Sequence, residues 1–368
     1  MPNSTRPASR AAALAALVVL ATGCNSDSVT SPPVTGFLVG TPSNRQVGVV
    51  VNDLGRSLTL FQAGSPATQE TIALGTSSTV TPTGLSLRGT RAAVPLGDAA
   101  SVALVDLAAG SVTRYFTFPS GNATGSAWVD DSTVIAANLL TNVVGRFRVG
   151  QAGGAITTTV AVAPQPSAVV VTSNRAFVVS TNLDTSYTPL GNGVVTAIDP
   201  STMAVVGTVQ TGGTNATDAA VGPDGKLYVV NTTADYSGGS LTIINPATLT
   251  AEATIPGMGA GPGAITIDGN GLAYISGYYF GTIIWDTRTR QFVRGPANPV
   301  CAPIGTTGKC RGAFGSAVAA DGTLYQAFFG SAAQGLAPQV FVYRAGTFAL
   351  GDSVSVGAGP TSVAIHTF

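Results

Sequence analysis

Residues 218–257 contain the pattern that decides the fold: four short apolar segments separated by turns. The segments are Asp218–Gly222 (DAAVG), Lys226–Asn231 (KLYVVN), Ser240–Pro246 (SLTIINP) and Ala251–Gly257 (AEATIPG), and a Pro-Asp-Gly turn separates the first two. Short apolar runs bounded by Gly, Pro, Asn and Asp are typical of β-strands joined by tight turns. This stretch therefore predicts one four-stranded sheet.

The same pattern recurs along the chain from residue 45 onwards. Aligned on the start of the first strand, the copies lie 41 to 52 residues apart, beginning at Gly84, Gly125, Ser167, Asp218, Gly263, Gly315 and Ser362. Four short strands in about 40–45 residues is the period of a β-propeller blade. The second strand occurs seven times, which predicts seven blades; it starts at Val47, Arg91, Thr133, Arg175, Lys226, Leu272 and Thr323.

The two ends of the repeat array complement each other. The first copy, at Val47, lacks a preceding inner strand, and the chain ends with a strand, Pro360–Phe368, that has no successor. We expect this C-terminal strand to complete the first blade, because a closed ring leaves no long unpaired edge. The predicted fold class is all-β, a seven-bladed β-propeller over residues 45–368 that is closed by its C-terminal strand.

Composition agrees with an all-β fold and excludes some functions. The 368-residue chain has 17 basic and 17 acidic residues, of which only two are Lys and two are Glu. Since Lys and Glu favour helices, few surface helices are expected. The balanced charge argues against nucleic-acid binding, which needs a basic excess. One His and three Cys argue against an imidazole or thiolate metal site, and we predict no cofactor.

The N-terminus has the pattern of a targeting signal. Arg6 and Arg10 precede an apolar run of ten residues, Ala11–Leu20, which is too short for a transmembrane helix of about 20 residues. The run leads to Cys24 and resembles the lipobox of bacterial lipoproteins, although Ala21 stands where that pattern prefers Leu. The resemblance implies cleavage before Cys24 and attachment of diacylglycerol to its thiol. An ordinary secretory signal peptide is the alternative.

These features divide the chain into three predicted segments. Residues 1–23 are the lipoprotein signal peptide, residues 24–44 are the lipidated Cys and a linker, and residues 45–368 are the propeller. The linker is rich in Ser, Thr, Pro and Gly, the composition of a flexible tether. We expect a protein of the bacterial cell envelope, anchored to a membrane by lipid and facing the periplasm or the cell exterior.

One repeat also resembles a known family. Tyr228-Val229-Val230-Asn231 follows an Asp-Gly turn and precedes LTIINPAT and ATIPG. This arrangement resembles the YVTN repeat of bacterial surface and periplasmic β-propellers, the lactonase-like and YncE-like group. The resemblance is clear over residues 165–290 and degenerate elsewhere. It implies the architecture and leaves the function open, because one fold supports many functions.

Aromatic residues concentrate in the loops between the second and third strands of four successive blades. In a propeller these loops share one face with the blade-to-blade connections, and large rings on one face suit sugars, peptides or proteins. Alternatively, the rings pack between blades or plug the mouth of the channel. The predicted binding face comprises Tyr187, Tyr236, Tyr278, Tyr279, Phe280, Phe328 and Phe329.

Loops between the second and third strands also carry four acidic residues, Asp53, Asp98, Asp184 and Asp235. Ca²⁺ binds carboxylate oxygens, so these four residues are weak candidates for a Ca²⁺ site. No Asp-x-Asp-x-Asp spacing occurs and loops favour Asp in any case, so no metal is predicted.

Cys301 and Cys310 lie in the connection before the seventh blade, with eight residues between them. Outside the cytoplasm such a pair is expected to form a disulfide. In the chain-entropy model a loop of this size stabilises the fold by about 2.5–3 kcal/mol.

The sequence favours a monomeric binding or scaffold module for an envelope protein, peptide or saccharide. A lactonase-like hydrolase at the channel mouth is the first alternative, and its available ionisable groups are Asp184, Asp235, Arg311 and His366. No catalytic spacing is recognisable, so no catalytic residue is assigned. A purely structural envelope protein is the second alternative.

Overall fold

The structure is a computed structural model that describes residues 37–38, 45–304 and 309–368. The predicted signal peptide, Cys24 and all of the predicted tether except Phe37 and Leu38 lie outside the described residues. Within these ranges the chain forms 28 β-strands, arranged as seven four-stranded antiparallel sheets. The prediction of an all-β, seven-bladed propeller is confirmed.

Each sheet is one blade, and its strands follow one another outwards from the central channel. Blade 1 contains β1 (Gln46–Asn52), β2 (Ser57–Gln62) and β3 (Ser65–Ala73), and its inner strand is β28 (Pro360–Thr367). Blade 2 contains β4 (Ser86–Arg88), β5 (Arg91–Pro95), β6 (Ser101–Asp106) and β7 (Ser111–Thr117). Blade 3 contains β8 (Ala123–Trp128), β9 (Thr133–Asn138), β10 (Val143–Arg148) and β11 (Thr158–Ala161).

The remaining four blades repeat this order. Blade 4 contains β12 (Pro166–Thr172), β13 (Arg175–Ser180), β14 (Asn192–Asp199) and β15 (Ala204–Thr214). Blade 5 contains β16 (Ala216–Val221), β17 (Leu227–Thr232), β18 (Gly239–Asn245) and β19 (Thr250–Pro256). Blade 6 contains β20 (Pro262–Ile267), β21 (Leu272–Gly277), β22 (Gly281–Asp286) and β23 (Gln291–Arg294). Blade 7 contains β24 (Gly315–Val318), β25 (Leu324–Phe328), β26 (Gln339–Tyr343) and β27 (Leu350–Ser355), and a short 3₁₀ helix, Ala332–Gln334, lies between β25 and β26.

The C-terminal strand closes the ring as expected. β28 pairs antiparallel with β1, so that Val50 lies opposite Val363 and Val49 lies opposite Ala364. Blade 1 is therefore built from both ends of the propeller sequence. Its four strands are all paired, and the ring has no open sheet at the point of closure.

The hydrophobic core consists of clusters that lie between neighbouring blades. In β17, Val229 belongs to the cluster between blades 4 and 5, whereas Tyr228 and Val230 belong to the cluster between blades 5 and 6. Successive side chains of a strand point to opposite faces of its sheet. Because each sheet has a neighbour on both faces, consecutive positions in the middle of such a strand are apolar. This explains the uninterrupted apolar runs in the sequence.

The strand order gives the ring two distinct faces. The connection face carries the loops between second and third strands together with the blade-to-blade connections. The turn face carries the turns between first and second strands and between third and fourth strands. A first strand such as β28 begins at the connection face and ends at the turn face. Residues at opposite ends of one strand therefore belong to different surfaces.

Candidate ligand-binding channel

A central cavity of about 880 Å³ lies inside the ring. The first strands of all seven blades line it, and they contribute mainly Gly, Ala, Ser, Thr and Val. A cavity of this size is within the range of about 300–1,000 Å³ that accommodates small organic ligands. The channel is therefore large enough to hold a ligand.

Small residues allow the first strands to pack closely against their neighbours around this cavity. A Cβ atom on Gly125 of β8 would lie 2.7 Å from Cα of Ala168 in the next blade, closer than atoms pack. At Gly263 of β20 it would lie 2.6 Å from Oη of Tyr278. Only glycine leaves room for the neighbouring strand at the first position and for the tyrosine at the second.

Four aromatic rings form a continuous row on the connection face. Tyr236 contacts Tyr278 in an edge-to-face arrangement, with 6.0 Å between ring centroids. Tyr278 contacts Phe314 at 5.0 Å, and Phe314 stacks on Phe329 at 5.0 Å. The row crosses blades 5, 6 and 7, and both Tyr278 and Phe314 line the cavity. We call these four residues the aromatic row.

The structure divides the seven predicted face residues into two groups. Tyr187, Tyr236 and Tyr279 are exposed, and Tyr278 and Phe329 are partly exposed. Phe280 and Phe328, in contrast, are buried in the clusters between blades 5 and 6 and between blades 6 and 7. Their assignment to the binding face was wrong, because these rings turn inwards and pack between the blades.

Phe314 is a member of the site that was not predicted from the sequence. It immediately precedes β24, and its ring lies between those of Tyr278 and Phe329. The only signal in the sequence was its place at the entry of a first strand, where other blades carry Pro or a small residue. The position of Phe314 in the repeat, rather than the length of a loop, marks it as a site residue.

Asp218 of β16 is the second residue that sequence reasoning missed. The channel wall encloses its carboxylate while part of its surface faces the cavity. Its Oδ1 accepts a hydrogen bond from the backbone N–H of Ala219 at 2.9 Å, and its Oδ2 accepts one from Ile265 at 3.0 Å. Burial nevertheless raises the pKa of Asp218 to about 6, because two neutral donors replace only part of the lost hydration.

Asp53, a calcium candidate, also lines the cavity at the connection face. Burial raises its pKa, and the nearby charge of Asp98 adds to that rise while Arg56 opposes it. Asp98 itself accepts a hydrogen bond from the side chain of Asn122 at 2.6 Å. These two carboxylates are neighbours at the mouth of the channel.

The other two calcium candidates accept hydrogen bonds within their own loops. Oδ1 of Asp184 accepts hydrogen bonds from the backbone N–H groups of Ser186 and Thr188. Hydrogen bonds from Thr233 and Ser237 lower the pKa of Asp235 to about 2. Across residues 45–304 and 309–368, no three His, Cys, Asp or Glu side chains come close enough together to hold a metal ion.

The ionisable groups of the hydrolase alternative do not converge. His366 lies near the end of β28, where burial lowers its pKa and the backbone of Gly89, in a turn of the turn face, contacts it. Asp184 and Asp235 lie on loops of the connection face. The guanidinium of Arg311 lies over the rings of Phe328 and Phe341, 5.1 and 5.4 Å from their centroids. These four side chains therefore form no acid–base pair with one another.

The predicted disulfide between Cys301 and Cys310 is present, with 5.4 Å between the Cα atoms. It lies in the connection from blade 6 to blade 7, close to the aromatic row. A Cβ atom on Gly312, two residues after the bridge, would collide with the carbonyl of Tyr278, and the N–H of Ala313 donates to Gly277. The bridged connection thus packs directly behind Tyr278.

Comparison with known proteins supports the fold alone. No family model matches the chain, and no curated protein matches it. Among solved structures, hydrazine synthase of Kuenenia stuttgartiensis superposes with a TM-score of 0.60 at 15% identity, covering 79% of this chain and 91% of that one. A functionally unknown protein from Desulfotomaculum acetoxidans DSM 771 superposes with a TM-score of 0.65 at 13% identity, covering 88% and 99%. This chain is similar to both in its propeller architecture.

A search of the described residues for a helix long and apolar enough to span a membrane found none.

Proposed function

We propose that the protein is an extracytoplasmic binding module, tethered to a membrane through Cys24, whose ligand or partner docks at the channel mouth on the connection face. The aromatic row carries this proposal. Rings in mutual contact at the rim of a deep cavity offer a large apolar surface at little conformational cost, as binding sites require. The tether is supported by the sequence pattern that precedes Cys24.

The position of the row favours binding over a purely structural role. Tyr236 in the row and Tyr279 beside it remain 42% and 64% exposed, although apolar surface of this kind contributes more to stability when buried. Large aromatic residues at the centre of a patch supply much of the energy of protein recognition. The exposed rings are therefore best explained as contact residues.

The binding proposal is tested by capture of envelope partners with the acylated protein. The double variant Tyr278→Ala, Tyr279→Ala should lose the partners that the wild type retains. Tyr187→Ala is the matched control, since Tyr187 is 63% exposed on the same face and lies outside the aromatic row. An identical set of partners for wild type and double variant, or no partner for either, would favour the structural alternative.

The tether is tested separately. Cys24→Ser removes the thiol that would receive the lipid, so the variant should move from the membrane fraction to the soluble fraction. Continued sedimentation of the variant with membranes would contradict acylation at Cys24.

A further inference from the structure

We propose that the channel mouth binds an organic cation, with its ammonium group held between the carboxylate of Asp218 and the ring of Tyr278. This inference rests on the proposed binding function and adds the chemical class of the ligand. Nothing in the propeller fold itself demands a carboxylate at this position, since the other six blades carry no acid at the corresponding first-strand entry.

The charged residues of the cavity lining favour a cation. Of the described residues that line it, only Asp53, Arg88 and Asp218 are charged. Arg88 lies at the end of β4 next to the turn face, where its Nε is 2.7 Å from Asp131. The half of the cavity next to the connection face thus has two carboxylates in its lining. Arg56, which does not line the cavity, acts on Asp53 but not on Asp218. Low-dielectric walls focus such a field, which attracts cations.

Among the described residues, Asp218 has no cationic partner. Its hydrogen bonds come from two backbone N–H groups, and no described Lys, Arg or His forms an ion pair with it. A carboxylate out of water is costly unless it is paired. Each oxygen accepts one bond from the protein and keeps a lone pair that a bound ammonium could use.

The hydroxyl end of Tyr278 lies beside this carboxylate. Its Oη is the Tyr278 atom nearest to Gly263, two residues before Ile265, which donates to Asp218. Burial, Tyr236 and then the charge of Asp218 raise the pKa of the phenol. No described residue forms a hydrogen bond with Tyr278 Oη. A phenol and its ring beside a carboxylate offer an ammonium group a hydrogen-bond acceptor and cation–π attraction. The uncharged walls around it suit the carbon frame of an organic ion rather than a hydrated metal.

The ionisation of Asp218 determines how the binding of a cation should depend on pH. The groups that face Asp218 are the N–H of Ala219 on its own strand, the N–H of Ile265 on β20 and the phenol of Tyr278 after β21, and none of them titrates between pH 5 and pH 8. With the pKa of Asp218 at about 6, the carboxylate is ionised at pH 8 and about nine-tenths protonated at pH 5. The affinity for a cation should fall about tenfold over this range.

The experiment compares choline with its uncharged analogue 3,3-dimethyl-1-butanol by calorimetric titration of the full-length acylated protein. We expect choline to bind at pH 8 at least about tenfold more tightly than the alcohol, by analogy with desolvated cation–π sites, and to lose about tenfold at pH 5. Asp218→Asn and Tyr278→Leu should each abolish the preference for choline. Asp131→Asn, an exposed acid at the other end of the channel, is the matched control and should retain it.

Equal affinities for the two probes, or no binding of choline, would overturn the inference even if a variant failed to fold, because this comparison uses only the wild type. If choline shows no preferred binding but partner capture still depends on Tyr278 and Tyr279, the cation site is wrong and the proposed function is still supported. If choline binds as expected but capture does not depend on the aromatic row, the cation site stands without a docking partner.

Discussion

At the scale of single residues, a buried polar side chain recurs at the end of the second strand. Asn52, Asn138, Ser180 and Asn231 occupy this position in blades 1, 3, 4 and 5, and all are almost inaccessible to solvent. Nδ2 of Asn138 donates to Ser120 at 2.7 Å, and its Oδ1 accepts from the N–H groups of Asn122 and Thr141. In blade 4, Oγ of Ser180 likewise donates to Ala163 at 3.0 Å. In blades 3 and 4 the last residue of the tetrapeptide motif therefore holds the connection that enters the blade.

We predict that Asn138→Ala lowers the free energy of unfolding by about 2–4 kcal/mol, since buried backbone groups at both ends of these bonds lose their partners. Urea denaturation followed by circular dichroism measures the change. Asn270→Ala, in an exposed turn of blade 6, is the control and should change stability by less than about 0.5 kcal/mol. Equal effects of the two substitutions would contradict this role for Asn138.

Asp218 makes a second residue-scale prediction, which concerns pH. Because its pKa rises from 3.8 to about 6 on folding, the folded state holds the proton more tightly than the unfolded state. The resulting stabilisation is complete below pH 3.8 and is lost as the pH rises through about 6. Wild type should therefore lose about 1–3 kcal/mol relative to Asp218→Asn between pH 4 and pH 8. Urea titrations of both proteins at the two pH values measure this difference, and a pH-independent difference would show that the carboxylate has its ordinary pKa when folded.

At the scale of elements, the connection from blade 6 to blade 7 combines the disulfide with the support of the aromatic row. Cys301 follows Val300, which exchanges backbone hydrogen bonds with Thr282, and Arg311 after the bridge donates its N–H to Ala302. The bridge thus closes a local loop in the connection, directly after the point at which Val300 attaches it to blade 6. Phe314 and Gly312 follow it immediately and contact Tyr278.

We predict that Cys301→Ser, Cys310→Ser lowers the free energy of unfolding by about 2.5–3 kcal/mol, because the unfolded chain regains the entropy of a loop with ten residues. Urea denaturation measures the loss. Wild type treated with a reductant is the matched control and should lose the same amount, while the reductant should leave the double variant unchanged. A double variant as stable as the oxidised wild type would contradict this role of the bridge.

At the scale of the whole molecule, β28 makes folding depend on both ends of the propeller sequence. It pairs with β1 over Gln46–Asn52, and Val363 packs in the cluster between blades 7 and 1. Without it, β1 would lose its inner partner and the channel one of its seven walls. A row of sheets whose ends are not joined leaves an exposed edge that pairs with other chains.

We predict that deletion of residues 360–368 abolishes the single cooperative thermal transition and promotes aggregation. Differential scanning calorimetry and size-exclusion chromatography measure the two effects. Thr367→Ala, an exposed position at the end of the same strand, is the control and should behave as wild type. A truncated chain that melted as a monomer in the wild-type transition would show that the ring does not depend on this closure.

Features that recur with the repeat could be predicted from the sequence. The direction in which a loop side chain points could not. The blade number and the β28 closure follow from counting strands, and the disulfide follows from two nearby Cys. Tyr279 and Phe280 are adjacent in one short loop, yet Tyr279 is exposed and the ring of Phe280 packs against Gly259 and Gly277. No pattern in the sequence distinguishes these two directions.

The amino-acid sequence by itself determined the number and order of the blades, because the repeat is a local pattern that recurs along the chain. It also indicated how the ring closes, because the strand missing from the first copy matches the unpartnered strand at the C-terminus. Only the tertiary structure decided which side chains meet at the channel. Tyr236, Tyr278, Phe314 and Phe329 come from three blades, and Asp218 shares a cavity with Tyr278 across a blade boundary. Such contacts depend on how sheets are arranged around an axis, and spacing along one chain does not encode the direction in which each side chain faces that axis.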